Sequence, residues 1–172
     1  MADIAGVINQ VSVEKESTYG TPVTPTLSVP VDASDGIQIK QELVGIEAIK
    51  GTAPKNKHQV AGKQSYEGSV VLQAYPKALG YFLLSLLGTD TPATTETGVY
   101  NHVFTESPTK VGLTVEQMVG LDVRRFAGFV PSKMKLTAKV GAPIQFQFDG
   151  LAKSQATATV ISKTYETSPV LK

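Results

Sequence analysis

The side chains best suited to move a proton near neutral pH are His58 and His102, and the sequence gives neither a catalytic setting. A Ser-His-Asp relay needs a base oriented by an acid beside a nucleophile on a strand-to-helix turn, and neither histidine lies at such a turn. His58 follows Lys50, Lys55 and Lys57, the surroundings of a solvated loop. His102 shares a strand face with Tyr100 and Phe104, which favours a hydrogen-bonded packing role. Glu96 and Glu106 are not arranged at ligand spacing around either histidine, so no metal site is expected. Glu14 and Glu16 point the same way on extended chain, about 7 Å apart. A solvated strand face accounts for them more simply than an acid–base pair. With no cysteine, thiolate nucleophiles, zinc–thiolate sites and disulfides are excluded. Gly20-Thr21-Pro22 only superficially resembles a phosphate loop, and no GxxxxGK[ST] or GxGxxG run opens a helix. No catalytic residue, cofactor or metal is therefore expected.

Charged residues offer contact chemistry instead. Arg124 and Arg125, followed by Phe126, could grip phosphate and stack a base. No second basic–aromatic cluster supports that use, and two adjacent arginines more often form ion pairs or interfaces. Lys133, Lys135 and Lys139 lie on one face of an alternating strand, a solubilising face or a blunted sheet edge. The stretch from Gly45 to Gly62 carries Lys50, Lys55 and Lys57, with no acid between Glu47 and Glu67. Both a solvated loop and an arm reaching a neighbouring subunit or an acidic surface fit that composition.

The elements that would position these groups are organised around Val60 to Gly88. Tyr66, Gly68, Val70 and Leu72 alternate with Ser65, Glu67, Ser69 and Gln73, the period of a strand with one dry face. At Pro76, a residue suited to a first helical turn, the period changes. Leu79, Phe82, Leu83 and Leu86 follow at helical spacing, and Gly88 supplies the stop, predicting a helix over 76–88. Tyr81, Leu84 and Leu87 lie off that stripe and are also apolar, so the helix must be covered on more than one side. It is far short of the about 20 residues that span a bilayer, and no membrane partner is expected.

The rest of the chain reads as strands and turns. Its 172 residues suffice for one domain with a core, charged residues are only 18%, and the net charge of +1 gives no global pull toward nucleic acid. The opening MADIAGVINQ shows no secretory signal, so synthesis in a cytoplasm is expected. Residues 1–13 form an arm leading into a first strand. Pro22, Pro25 and Pro30 argue against a central strand between them. A strand at Ile37–Lys40 ends near Glu42, and 45–62 is a long loop. Thr89 to Gly98 is a polar loop before a strand at Val99–Thr105. Leu113–Glu116 and Leu121–Val123 are short strands, and Arg124 to Phe129 is a knot before Pro131. Met134, Leu136, Ala138 and Val140 then alternate with polar residues. A Gly141-Ala142-Pro143 turn leads to Ile144, Phe146 and Phe148, giving an amphipathic hairpin. Residues 151–172 hold a further strand near Thr157–Ser162 and a tail. The fold class is mainly β: an antiparallel β-sandwich or barrel-like domain of about seven strands with one short helix packed on it and extended arms.

These residues in combination resemble the tail tube proteins of long-tailed bacteriophages. The likeness rests on Glu16-Ser17-Thr18-Tyr19-Gly20-Thr21-Pro22, on Pro30-Val31, and on Gly62 to Ser69 entering the helix. It continues through Leu79 to Leu84, Leu87-Gly88, Tyr100 to Thr105, Leu113 to Glu116, Gly128-Phe129-Val130 and the closing hairpin to Gly150. It spans nearly the whole chain in order. The resemblance implies a homo-hexameric ring and rings stacked into a hollow virion tube. It also implies partners among other tail proteins (tape measure, tail-end proteins, a sheath in contractile tails) and DNA passing without sequence-specific binding. Lys50, Lys55, Lys57, His58, Leu84, Leu87, Arg124 and Arg125 are then the candidate subunit contacts. The lysines of the 45–62 segment would seek acidic partners on the adjacent ring. Lys133, Lys135 and Lys139 are expected to avoid the lumen or be paired, because unpaired lysines would hold DNA. Outside this family, an adhesin-type sandwich that binds carbohydrate or protein, or a ring protein of the tail end or head joint, fits the same composition.

Overall fold

In the computed structural model, residues 8–30, 36–48, 56–97, 99–120, 122–159 and 164–170 are described. Among them lie eleven strands and one helix: β1 (Ile8–Lys15), β2 (Leu27–Val29), β3 (Gly36–Ala48), β4 (Asn56–Gln73), α1 (Pro76–Leu87), β5 (Gly88–Glu96), β6 (Val99–Glu106), β7 (Leu113–Val119), β8 (Asp122–Thr137), β9 (Gln145–Ala152), β10 (Ser154–Ala158) and β11 (Thr164–Tyr165). The N-terminal arm before Ile8 lies outside the described residues.

β8 joins the two halves of the main sheet. Over Asp122–Phe129 it pairs with β7 on one edge and β10 on the other, in the order β11-β2-β1-β7-β8-β10. Past Val130 the β7 pairing ends, and the same strand continues into the order β8-β9-β4-β3. The change falls where a strand can bend. Gly128 has φ +68, and the register slips between Pro131 and Lys133, so Pro131 sits at a bulge. The expected Arg124–Phe129 knot is thus corrected to continuous strand. Gly68 and Gly150 pair directly beside this bend, and a Cβ on Gly150 would come within 2.5 Å of the Val130 carbonyl oxygen. No closed barrel forms among the described residues.

One apolar cluster unites the halves. Val11, Val13, Leu113, Val115 and Phe126 come from one side, Ile37, Val70, Leu72 and Phe148 from the other, and Phe129 from the bend. Phe82 of α1 is fully buried over the junction, stacked on Phe148 (centroids 4.8 Å, 16°) and edge-on to Phe129 (6.4 Å, 81°). The buried line of the helix is Ala78, Phe82 and Ser85, one residue off the expected Leu79–Leu86 stripe. Leu79, Tyr81 and Leu86 pack along its flanks. Gln117 clamps the halves together: its amide accepts from Ile37 N at 2.9 Å and donates to Ile37 O at 2.6 Å.

Long-range partners cap both ends of α1, which has no acid in its first turn and no base in its last. The buried Glu166 carboxylate accepts from the Lys77 and Ala78 amides at 2.8 and 3.0 Å. Lys110 Nζ donates to the Leu86 and Leu87 carbonyls at 2.9 and 3.0 Å. Glu166 is delivered there by β11, which pairs parallel to β2, so the sheet is mixed rather than wholly antiparallel.

Other expectations are corrected too. β2 fits between Pro25 and Pro30 as an interior strand because its own three residues keep their N–H groups. The 45–62 loop is largely a hairpin, with Leu43–Ala48 paired to Asn56–Ala61. Its Gly and Lys content hid a regular ladder. The 89–98 loop is mostly strand β5, whose threonines suit a strand and whose Pro92 is tolerated because the β5–β6 ribbon is only two strands wide. The strand expected at Thr157–Ser162 begins earlier and ends at Ala158.

Candidate assembly interface

Glu16 shows how local sequence builds the rigid body of this domain. It is 4% exposed, not on a solvated face as its spacing from Glu14 suggested. Its carboxylate accepts from Gly20 N (2.7 Å), Gly128 N (2.7 Å) and Thr114 Oγ1 (2.8 Å). The Glu16–Pro22 run is therefore a turn nested on its own carboxylate and pinned to β7 and to the bend of β8. Glu14 accepts from Thr26 Oγ1 at 2.6 Å and from the Tyr81 hydroxyl at 3.3 Å. Burial, and secondarily the Glu14 charge, push the Tyr81 phenol above its ordinary 10.0.

Three features extend from this body. The first is the distal part of β3–β4. Beyond Tyr66 the hairpin has no β9 partner, and eight residue pairs, Lys40–Ser65 to Ala48–Asn56, carry it on for roughly 25–30 Å of strand. Leu43, Val44 and Val60 are exposed on it. Lys57 and His58 lie in β4, opposite Glu47 and Ile46. Lys50 and Lys55 lie outside the described residues.

The second feature is the free edge of β8. Residues 132–137 pair with β9 on one side and with no described strand on the other. The core-facing row runs Val70–Phe148–Met134 and Leu72–Phe146–Leu136 across the sheet. Val70, Leu72 and Phe148 are buried, but Met134 is 40% and Leu136 55% exposed. The apolar face thus emerges from cover at an unpaired edge. Lys133 and Lys135 stand exposed on the opposite face, with Lys139 in the following turn.

The third is the β5–β6 ribbon. It stands on a braced base, where Ser107 N donates to Leu87 O at 2.7 Å and Gly88 adopts φ +112 against Ser107 and Thr109. One face carries Tyr100, His102 and Phe104, with His102 Nδ1 2.8 Å from Asp90 Oδ2. Asp90 Oδ1 has no hydrogen-bond partner. This histidine–carboxylate pair orients an imidazole on an exposed ribbon. No group of three or more His, Asp or Glu placed to hold a metal occurs among the described residues.

The remaining sequence-selected residues fall elsewhere. Arg124 and Arg125 are neighbours in mid-strand. Arg125 pairs with the buried Glu116 on the adjacent strand (Nε–Oε1 2.6 Å), so its guanidinium is engaged within the subunit. Leu84 and Leu87 are half-buried on α1. Among the described candidates, Lys57 and His58 on distal β4, Leu84 and Leu87 on α1, and Arg124 and Arg125 on β8 lie on three different elements. Met134, Leu136 and the β5–β6 ribbon were not singled out from sequence, although the run of acids without Lys or Arg from Gly88 to Thr109 was legible there. An open cleft of about 560 Å³ lies over β3, β4 and β9, lined in part by the ion-paired Lys40 and Glu67. No helix among the described residues is long and apolar enough to cross a membrane.

The family described as phage tail tube protein matches residues 6–171. No curated protein matches the chain. Among solved structures, a chain of the sheath–tube complex of an extracellular contractile injection system in its extended state matches with 10% identity and a TM-score of 0.51. The match covers 92% of this chain and 95% of that one. A chain of the anti-feeding prophage cap, which terminates its tube, matches with 10% identity and a TM-score of 0.50, covering 87% and 88%. At these identities the shared property is the fold.

Proposed function

Because this chain belongs to the phage tail tube protein family, we propose that it is the repeating subunit of a hollow tail tube, with six copies to a ring and rings stacked end to end. The observation that carries this reading is the β8 edge, where the apolar row of Met134 and Leu136 runs uncovered onto unpaired strand. A monomer gains nothing from leaving such an edge open, since it invites uncontrolled pairing. In a ring, that edge meets a different surface of the next subunit and the sheet continues around the bore, a head-to-tail contact that closes by rotation. The β3–β4 arm and the N-terminal residues then link one ring to the next.

In this reading the subunit is made in the host bacterial cytoplasm and assembles into the virion tail with tape-measure and tail-end proteins, and with a sheath if the tail contracts. DNA passes through the bore without sequence-specific contacts. Lys133, Lys135 and Lys139 face away from the bore or are paired by neighbours, because a lumen lined with free lysines would retain phosphate. The function is structural, with no catalytic step.

Negative-stain electron microscopy of the purified chain, before and after concentration, tests the proposal. Long hollow tubes are the expected result. Single rings that never stack would instead assign a tail-end or head-joining role, a use of this fold kept in view by the prophage cap. Monomers that also fail to assemble on a preformed tail-tip complex would refute the tube reading and favour an adhesin-type module.

A further inference from the structure

We propose that β11 is exchanged around the ring, the Thr164–Glu166 segment of each copy lying on β2 and α1 of its neighbour; this rests on the tube-subunit reading above. The exchanged piece is small and lightly held. β11 is two residues long and runs parallel to β2 at the sheet edge. Thr164 N donates to Thr26 O at 3.4 Å and Glu166 N to Ser28 O at 3.2 Å, both long for backbone bonds. Yet this strand delivers the buried Glu166 carboxylate that accepts from the Lys77 and Ala78 amides of α1. The same contacts form whichever copy supplies them, which is the basis of strand exchange.

The length of the connection is the second argument. β10 lies at the opposite edge of its half from β11, in the order β11-β2-β1-β7-β8-β10. Five strand spacings separate them, about 24 Å measured along the sheet. Their levels differ as well. Ala158 is in line with Val123, Met118 and Gln10, whereas Thr164 is in line with Leu27 and Val13, about 10 Å further along β1. Only residues 159–163 join Ala158 to Thr164, and six Cα steps reach at most about 22 Å. β10 and β11 run in the same direction, and a parallel return ordinarily takes about a dozen residues or more. Within one subunit this connection has little slack, and short hinges of that kind favour exchange between copies.

The third argument is placement. β2 and the unpaired 132–137 edge lie on one side of β8, the side of β7. β9 and β10, parted by Lys153 alone, follow each other along the other side. A ring in which the 132–137 edge meets the neighbour's opposite side therefore also turns β2 toward that neighbour's β10. The neighbour's Ala158 then stands on the near side of the junction, and residues 159–163 reach β2 without crossing a sheet.

The absence of cysteine makes the test direct. Leu27 and Thr164 are paired positions, so a chain carrying only Leu27→Cys and a chain carrying only Thr164→Cys are mixed equally, assembled and oxidised. Only exchange joins the two. Disulfide dimers holding up to about half of the chains are expected in tubes, the limit for random neighbours in a ring, and none in the dilute unassembled mixture. The double variant, oxidised while dilute, locks β11 on its own β2; its critical concentration for tube formation should rise at least about tenfold and return on reduction. Circular dichroism and melting curves identify variants that retain the fold, and Thr26→Cys replaces Leu27→Cys if that one does not. Tubes of the mixture with no more dimer than tubes of either chain alone, or an oxidised double variant that assembles like its reduced form, would overturn the exchange while leaving the tube reading intact. Parent protein that never forms tubes, even on a tail-tip nucleus, would overturn the tube reading and this inference with it.

Discussion

Replacing Glu16 with alanine is the most direct test of how this body is held together. The carboxylate satisfies two backbone amides, Gly20 N and Gly128 N, and the buried Thr114 hydroxyl. Each amide left buried without an acceptor costs about 1–3 kcal/mol, and the hydroxyl less because it can turn to another acceptor. Removing the carboxylate's own desolvation returns part of this, so Glu16→Ala should lose about 4 kcal/mol. Glu16→Gln keeps one acceptor oxygen for the Gly128 and Thr114 donors and turns an NH2 toward Gly20, so it should lose about 2 kcal/mol. Urea unfolding at pH 7 measures both, and for a chain of this size the alanine variant should melt about 10 °C lower. The two values must differ. If Glu16→Gln costs as much as Glu16→Ala, the isosteric amide recovers nothing and its one oxygen does not serve the Gly128 and Thr114 donors as argued. If Glu16→Ala costs under about 1 kcal/mol, water replaces the carboxylate and the motif has been misread.

Phe82→Ala removes the ring stacked at the junction of the sheet halves and should cost about 3–5 kcal/mol by chemical denaturation, while Leu84→Ala on a half-buried flank should cost clearly less. Glu166→Ala leaves the Lys77 and Ala78 amides uncapped and should cost about 1–2 kcal/mol, with faster hydrogen exchange at those two amides as the specific sign. Tyr81 holds its proton to higher pH in the folded chain than in the unfolded one. Its contribution to stability is therefore complete below the ordinary tyrosine value and is lost as pH rises through the folded one. A 295 nm titration of the parent minus Tyr81→Phe should give a midpoint above the ordinary tyrosine value of 10.0, and a midpoint at that value would contradict the burial.

What the sequence showed was periodicity. The alternation from Tyr66 to Leu72, the Pro76 start and Gly88 stop of the helix, and the 133–148 hairpin are local patterns, and each appears in the structure. The features it hid come from distant pairings. Nothing near residue 16 announces that Gly112, Thr114 and Gly128 will surround its carboxylate. No acid within the first turn of α1 hints that Glu166, 88 residues further on, will cap it. The Gly45–Gly62 stretch lacks an apolar face, so hydrophobic alternation could not reveal it as paired strand. Its ladder is held by backbone pairing of β3 with β4, and the side chains of residues 41–45 and 59–61 are exposed.

The same contrast bears on assembly. Inside the body, polar groups are paired with unusual reach: Glu16 to the bend of β8, Gln117 across the sheet halves, Arg125 to Glu116. Such groups are costly if left unpaired, so they fix one arrangement and leave the body little freedom to rearrange. The uncovered chemistry lies at the periphery, in the β8 edge with Met134 and Leu136, the β3–β4 arm with Leu43, Val44 and Val60, and the β5–β6 ribbon with Val99, Tyr100 and Val103. A body that cannot adapt and projections that are incomplete alone are what a stacked tube requires. In the proposed tube, the projections gain their partners from other copies, and the body sets the angle at which those copies meet.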